Sequence, residues 1–144
     1  VNEVGEKVRR EVLLDAIVEP VNMTRIDWQV RENMPSASPQ EQRQQAIDVI
    51  RSLVDDGLVE PGYPGQKEDE FVKESLDETL AVLNDKYIAH YDDPGGWMWC
   101  VWLKLTDQGW ALATSNPEGQ RVAELEKERL ESIRASRESE GFSL

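Results

Sequence analysis

The sequence predicts a mainly α-helical fold with a small β-hairpin, an α+β class. Three observations point there. Apolar residues recur at helical spacing along most of the chain, with cap and stop signals between the runs. A short apolar run, Leu58-Val59-Glu60, follows a glycine and is closed by Pro61-Gly62, as a strand would be. Residues 97–110 (WMWCVWLKLTDQGW) hold four of the five tryptophans and the single cysteine, in a stretch rich in strand-forming residues. A length of 144 residues suits one domain with one core.

The elements follow in order. Val4, Val8, Val12, Leu13, Ile17 and Val18 form the stripe of a first helix that Pro20 stops. Thr24 and Asp27 are spaced as a capping box for a short second helix, with Ile26 and Val30 inward. Asn33-Met34-Pro35-Ser36 is a turn. Ser38, Pro39 and Glu41 then mark the start of a third helix: Ser38 as N-cap, Pro39 at the first helical position and Glu41 closing a Ser-x-x-Glu box. Its buried stripe is Ala46, Ile47, Ile50, Leu53 and Val54. Gly57 suits the left-handed position beyond its end.

Residues 61–69 read as a polar connection. Phe71, Val72, Leu76, Leu80 and Leu83 mark a fourth helix over 70–85. Tyr87–Tyr91 reads as a strand, Asp92–Gly96 as a hairpin loop, and Trp97–Leu105 as the returning strand. Alternation sets Trp97, Trp99, Val101, Leu103 and Leu105 on one face and Met98, Cys100, Trp102 and Lys104 on the other. Both faces are apolar as far as Trp102, so both are expected to be covered. Thr106 caps the next helix. Asn116–Gly119 interrupts, and a charge-dense helix over 118–137 carries Val122, Leu125, Leu130 and Ile133. Residues 138–144 are expected to fray.

The chain carries 39% apolar and 31% charged residues and a net charge of −13, with no basic segment. Phosphate backbones are gripped by Lys and Arg, so this balance opposes tight non-specific nucleic-acid binding and favours basic partners. No run approaches the ~20 apolar residues of a membrane span, so no membrane association is expected. The first residues lack the apolar stretch of an export signal, and one cysteine cannot form an internal disulfide. A cytoplasmic location is the expectation.

His90 is the only histidine, which removes Ser-His-Asp and multi-histidine arrangements. His90 and Cys100 are expected as neighbours across the hairpin, too few ligands for zinc. The acidic pairs Asp55-Asp56 and Asp92-Asp93 lack a calcium loop, and no Gly-rich phosphate loop occurs. The sequence therefore predicts no enzyme, no cofactor and no metal.

Two stretches carry a resemblance. AIDVIRSLVDDGLVE resembles the third helix and first wing strand of winged helix-turn-helix domains. WLKLTDQGWALA resembles the wing's return strand meeting the Leu-Thr-x-x-Gly start of the next helix, as in regulators of the multiple-antibiotic-resistance and phenolic-acid-response types. The match covers roughly residues 10–113 by pattern. The 61–85 connection and helix, inserted before the wing, depart from those families. The resemblance implies a winged-helix domain over 1–113 and a helix over 114–137 outside it. Such outer helices commonly build a homodimer, here through Val4, Val8 and Val12 at one end and Val122, Leu125, Leu130 and Ile133 at the other.

The resemblance further implies a transcriptional regulator that binds double-stranded DNA through helix 38–56. Its outward residues would be Gln40, Gln42, Arg43, Gln44, Gln45 and Asp48, where Gln and Arg read base edges. Arg25, Arg31 and Arg51 would approach phosphates. A solvated polar helix face reads equally well. The Asp92-Asp93 loop would repel phosphate, which leaves two alternatives: an acidic winged-helix adaptor that binds protein, or an inhibitor that mimics nucleic-acid charge. For the adaptor, Trp28 and Trp102 are candidate partner-binding residues. Against this, Trp28 reads as packing on the first helix, and Trp97, Trp99, Trp102 and Trp110 as core and wing packing.

Overall fold

The structure is a computed structural model that describes residues 2–142. It is mainly helical, with a small antiparallel four-stranded sheet.

Helix α1 spans Glu3–Ala16, capped by the Asn2 side chain, which accepts from the Gly5 amide at 2.8 Å. Val8 and Val12 are fully buried. Because α1 ends at Ala16, Val18 falls outside the stripe and is 43% exposed. Strand β1 is Val21–Asn22, and α2 is Met23–Asn33. The expected Thr24/Asp27 box does not form. Asn22 caps α2, the Thr24 hydroxyl donates to the Met98 carbonyl at 3.0 Å, and Asp27 turns into the interior.

Helix α3 spans Pro39–Asp55 and starts at the Ser38/Glu41 box. It ends in a Schellman turn. The Leu58 amide donates to Leu53, the Gly57 amide donates to Val54, and Gly57 takes φ 72°. Leu53 and Leu58 are both buried, giving that turn its apolar contact.

Strand β2 (Val59–Pro64) runs straight through Pro61-Gly62, where a stop was expected. Next come β3 (Phe71–Lys73), α4 (Leu76–Val82), a π-helical continuation (Leu83–Ile88), a one-turn α5 (Pro94–Trp97) and β4 (Trp102–Leu105). The strand order is β1-β4-β2-β3. Partners in register share a face: Val59 with Leu105 and Pro61 with Leu103 turn toward the core, while Glu60 with Lys104 and Gly62 with Trp102 turn outward.

Three expectations fail between β2 and β4. The single 70–85 helix is divided, because Ser75 and Glu78 form a second capping box that starts α4 at Leu76 and leaves Phe71–Lys73 extended on β2. Tyr87–Tyr91 is not a strand, since Tyr87 and Ile88 belong to the π-helical run and the Tyr87 hydroxyl reaches a carboxylate on α2. The 92–96 loop is not a hairpin turn: Pro94 opens a helical turn, and strand begins again only at Trp102. β4 pairs with β1 and β2, not with 87–91.

Helix α6 (Asp107–Ala113) is capped by Thr106, whose hydroxyl accepts from Gly109 and donates to the Gly57 carbonyl at 2.6 Å. A Cβ on Gly109 would lie 1.9 Å from the Leu58 carbonyl oxygen, so glycine is needed where α6 meets the turn that leads into β2. Helix α7 (Pro117–Phe142) packs through Gly119, Val122 and Ala123, and its side chains from Lys127 to Ser139 are exposed. The tail expected to fray from 138 is helical to Phe142, and 143–144 lie outside the described residues.

Candidate functional site

The best-connected polar centre sits where α2, α3 and the 83–97 segment meet. Asp27 is 2% exposed. A carboxylate this deep needs several donors to offset its lost hydration. It has them: the Tyr87 hydroxyl at 2.5 Å, the Tyr91 hydroxyl at 3.0 and 3.2 Å, and Arg31 Nε at 2.9 Å.

Trp97 completes the assembly. Its ring stacks on Tyr91 at 5.0 Å and meets Tyr87 edge-on at 5.0 Å, and its indole N–H donates to the Tyr91 carbonyl. Arg43 of α3 lies over the Tyr91 ring at 4.7 Å. Burial, followed by the Asp27 charge, pushes the Tyr87 and Tyr91 phenols above their ordinary range. The Asp27 hydrogen bond raises Arg31. The cluster fastens the 83–97 segment onto α2 and α3.

The residues expected to contact DNA are distributed unevenly. Arg31 and Arg43 do come together beside Tyr91, but as members of this cluster. Arg25 turns to Asp15 at 2.9 Å and lies over the Trp28 ring at 4.4 Å. Arg51 is exposed on α3, as are Gln40 and Gln44, with Gln44 bonded to Asp48. Gln42 is half-buried and donates to the Met34 carbonyl. Gln45, expected outward, is buried at 7% and accepts from Asn2, because its position falls on the inner side of α3 beside Ala46 and Val49.

Sequence reasoning missed Asp27, Tyr87, Tyr91 and Trp97 as a set. The available signal was a carboxylate at Asp27 between the inward positions Ile26 and Val30.

The tryptophans also depart from expectation. Only Trp97 is buried. Trp28, expected on α1, is 41% exposed and Trp110 is 46% exposed. Trp99 is 55% exposed and stacks on half-buried Trp102 at 5.9 Å and 23°. Trp102 and Phe71 share a groove of about 450 Å³ with Pro20, Pro64 and Lys104, rimmed by Glu19, Asp69 and Glu70. Lys104 Nζ sits 5.8 Å from the Phe71 ring, and Lys73 pairs with Glu60 at 3.1 Å.

His90 is exposed and Cys100 half-buried, and no hairpin sets them face to face. Burial raises the Cys100 thiol. Among the described residues no group of three or more His, Cys, Asp or Glu is placed to hold a metal ion, and no helix is long and apolar enough to cross a membrane. Comparison with protein-family models, curated proteins and solved structures gave no match to this chain.

Proposed function

We propose that the chain is an acidic protein-docking module on a winged-helix plan, and that a basic partner meets the outer face of its sheet. Three features support the plan. α3 passes through Gly57 into β2, β4 lies between β1 and β2, and β4 passes through Thr106 into α6. Residues 65–101 stand where a wing's short turn would be.

The observation that carries the docking reading is the Trp99–Trp102 pair, stacked with Trp99 more than half in solvent. Large aromatics set out from a surface are favoured interface anchors. A net charge of −13 steers basic partners toward it. Arg25, Arg31 and Arg43 each already have an intramolecular partner, which weakens a phosphate-gripping role for them.

The test is to pan the full chain against a random peptide library and compare Trp99→Ala/Trp102→Ala. The expected winners carry Lys or Arg beside apolar residues and lose about tenfold or more in affinity on the double variant. Peptides that bind both proteins equally would end this reading.

A second reading remains, the DNA-binding regulator using helix 38–56. Gln40, Gln44 and Arg51 favour it, being exposed along α3. Selection from random duplexes at low and moderate salt separates the two: sequence enrichment that weakens with salt supports the regulator. The homodimer expected from the terminal helices now rests on α7 alone. Val8 and Val12 are spent in the core, while Leu125, Leu130 and Ile133 are exposed.

A further inference from the structure

A separate groove of about 520 Å³ runs between α1, α2 and the first turns of α7. Val18, Trp28 and Val122 give it apolar walls, and Glu11, Glu32 and Glu118 give it carboxylates. Gln29 lines it too, and Gln29 is 2% exposed. The Gln29 amide N–H donates to Asp15 at 2.5 Å, which fixes the orientation of the group. Its carbonyl oxygen then has no donor, the one buried side-chain polar atom in that condition among the described residues. A buried acceptor without a donor is an unmet requirement in the fold.

The surrounding charges define what would meet it. Asp15 is already matched by Arg25 and Gln29, and Glu11 accepts from Asn33. Glu32 and Glu118 have no ion pair among the described residues. Lys7 and Arg25 also face the groove, with Arg25 held by Asp15 and by the Trp28 ring. Lys7 likewise has no ion pair among the described residues, so the groove holds one free donor against three unmet acceptors, the Gln29 oxygen, Glu32 and Glu118, beside an apolar wall. Arg25 and Trp28, which line the groove with Gln29, are exposed side chains, and a ligand reaches the buried Gln29 oxygen only when side chains around it move.

We propose that this groove binds a primary alkylammonium group. The ammonium head offers three N–H donors and a positive charge, which go to the Gln29 carbonyl and to Glu32 and Glu118. The alkyl chain lies along Val18, Val122 and Trp28. The same chemistry comes from a free polyamine or from a lysine side chain presented by a partner. The site is independent of the aromatic sheet face, so Trp99→Ala/Trp102→Ala leaves it unchanged.

Calorimetric titration of the full chain tests this, using spermidine, N-acetyl-lysine amide and tetramethylammonium at matched ionic strength. Tetramethylammonium keeps the charge but has no N–H. At least one of the first two is expected to saturate a single site and to bind about tenfold or more tighter than tetramethylammonium. Whichever of the two binds more tightly identifies the source. Glu118→Gln, an exposed change that leaves the fold intact, and Gln29→Met are each expected to weaken binding about tenfold, while Glu70→Gln in the β2–β3 connection leaves it unchanged. Equal binding of all three probes, or no effect of Glu118→Gln, would reduce the interaction to diffuse counter-ion attraction and overturn the proposal.

Discussion

Asp27 illustrates how one side chain ties together segments far apart in sequence. It lies 60 positions from Tyr87 and 64 from Tyr91, and its carboxylate receives both hydroxyls. Removing a buried charge strands its donors. Asp27→Ala should therefore cost about 3 kcal/mol, read as a lower urea midpoint at unchanged slope. Asp27→Asn keeps an acceptor and should cost less. The same cluster sets an alkaline limit. The Tyr87 and Tyr91 phenols are raised in the fold, so the folded chain holds its protons where the unfolded chain, with phenols near pH 10, has begun to release them. Their contribution is complete below about pH 10 and declines above it. Thermal unfolding followed from pH 8 to 11 should show that decline, and Tyr87→Phe should flatten it. An unchanged profile in the variant would place the titration elsewhere.

Elements whose signals are local were legible in the sequence. The Ser38 box, the Gly57 turn and the Thr106 cap each depend on residues within a turn or two of one another, and each stands where its spacing put it. The α1 stripe was legible because burial at Val8 and Val12 follows directly from 3.6-residue periodicity. What failed depends on distant chain. Tyr87–Tyr91 has strand-forming residues, yet Asp27 draws the tyrosine hydroxyls inward from another element. The Trp97–Leu105 run has strand composition throughout, but only Trp102–Leu105 finds β1 and β2 to pair with. The Ser75/Glu78 box was a local signal, masked by the apolar spacing from Phe71 to Leu83. The candidate aromatic face is half legible: the sequence offers Trp102 as a partner-binding candidate, while its stacking partner Trp99 reads only as core and wing packing. The Gly57–Gly109 region shows how tightly these elements are fitted. Gly109→Ala puts a methyl group against the Leu58 carbonyl and forces α6 away from the Gly57–Leu58 turn. Expect a loss of roughly 2 kcal/mol by denaturant unfolding, with a smaller loss, about 1 kcal/mol, for Gly57→Ala at its positive φ.

At the scale of the whole molecule the dominant fact is charge: 29 acidic against 16 basic side chains. A chain of this length has a radius of gyration of about 15 Å. At 0.01 M salt the screening length is about 30 Å, so every carboxylate feels all the others, whereas at 0.15 M it falls to about 8 Å and the repulsion becomes local. Salt also weakens ion pairs, but only five occur among the described residues, each with at least one partner substantially exposed, and such pairs contribute about 0–1 kcal/mol. Repulsion thus outweighs pairing, and the melting temperature should rise by several degrees as KCl goes from about 0.01 to 0.15 M. A fall would mean that Arg31–Asp27 and its neighbours carry more stability than the global field removes. The same field bears on the partner. A basic peptide on the sheet supplies in one place the counter-charge that salt supplies everywhere, so its stabilising effect should be largest at low salt and shrink as KCl is added. An effect equal at both salt levels would mean that the aromatic contacts alone hold the peptide, and that the acidity of the chain plays no part in choosing it.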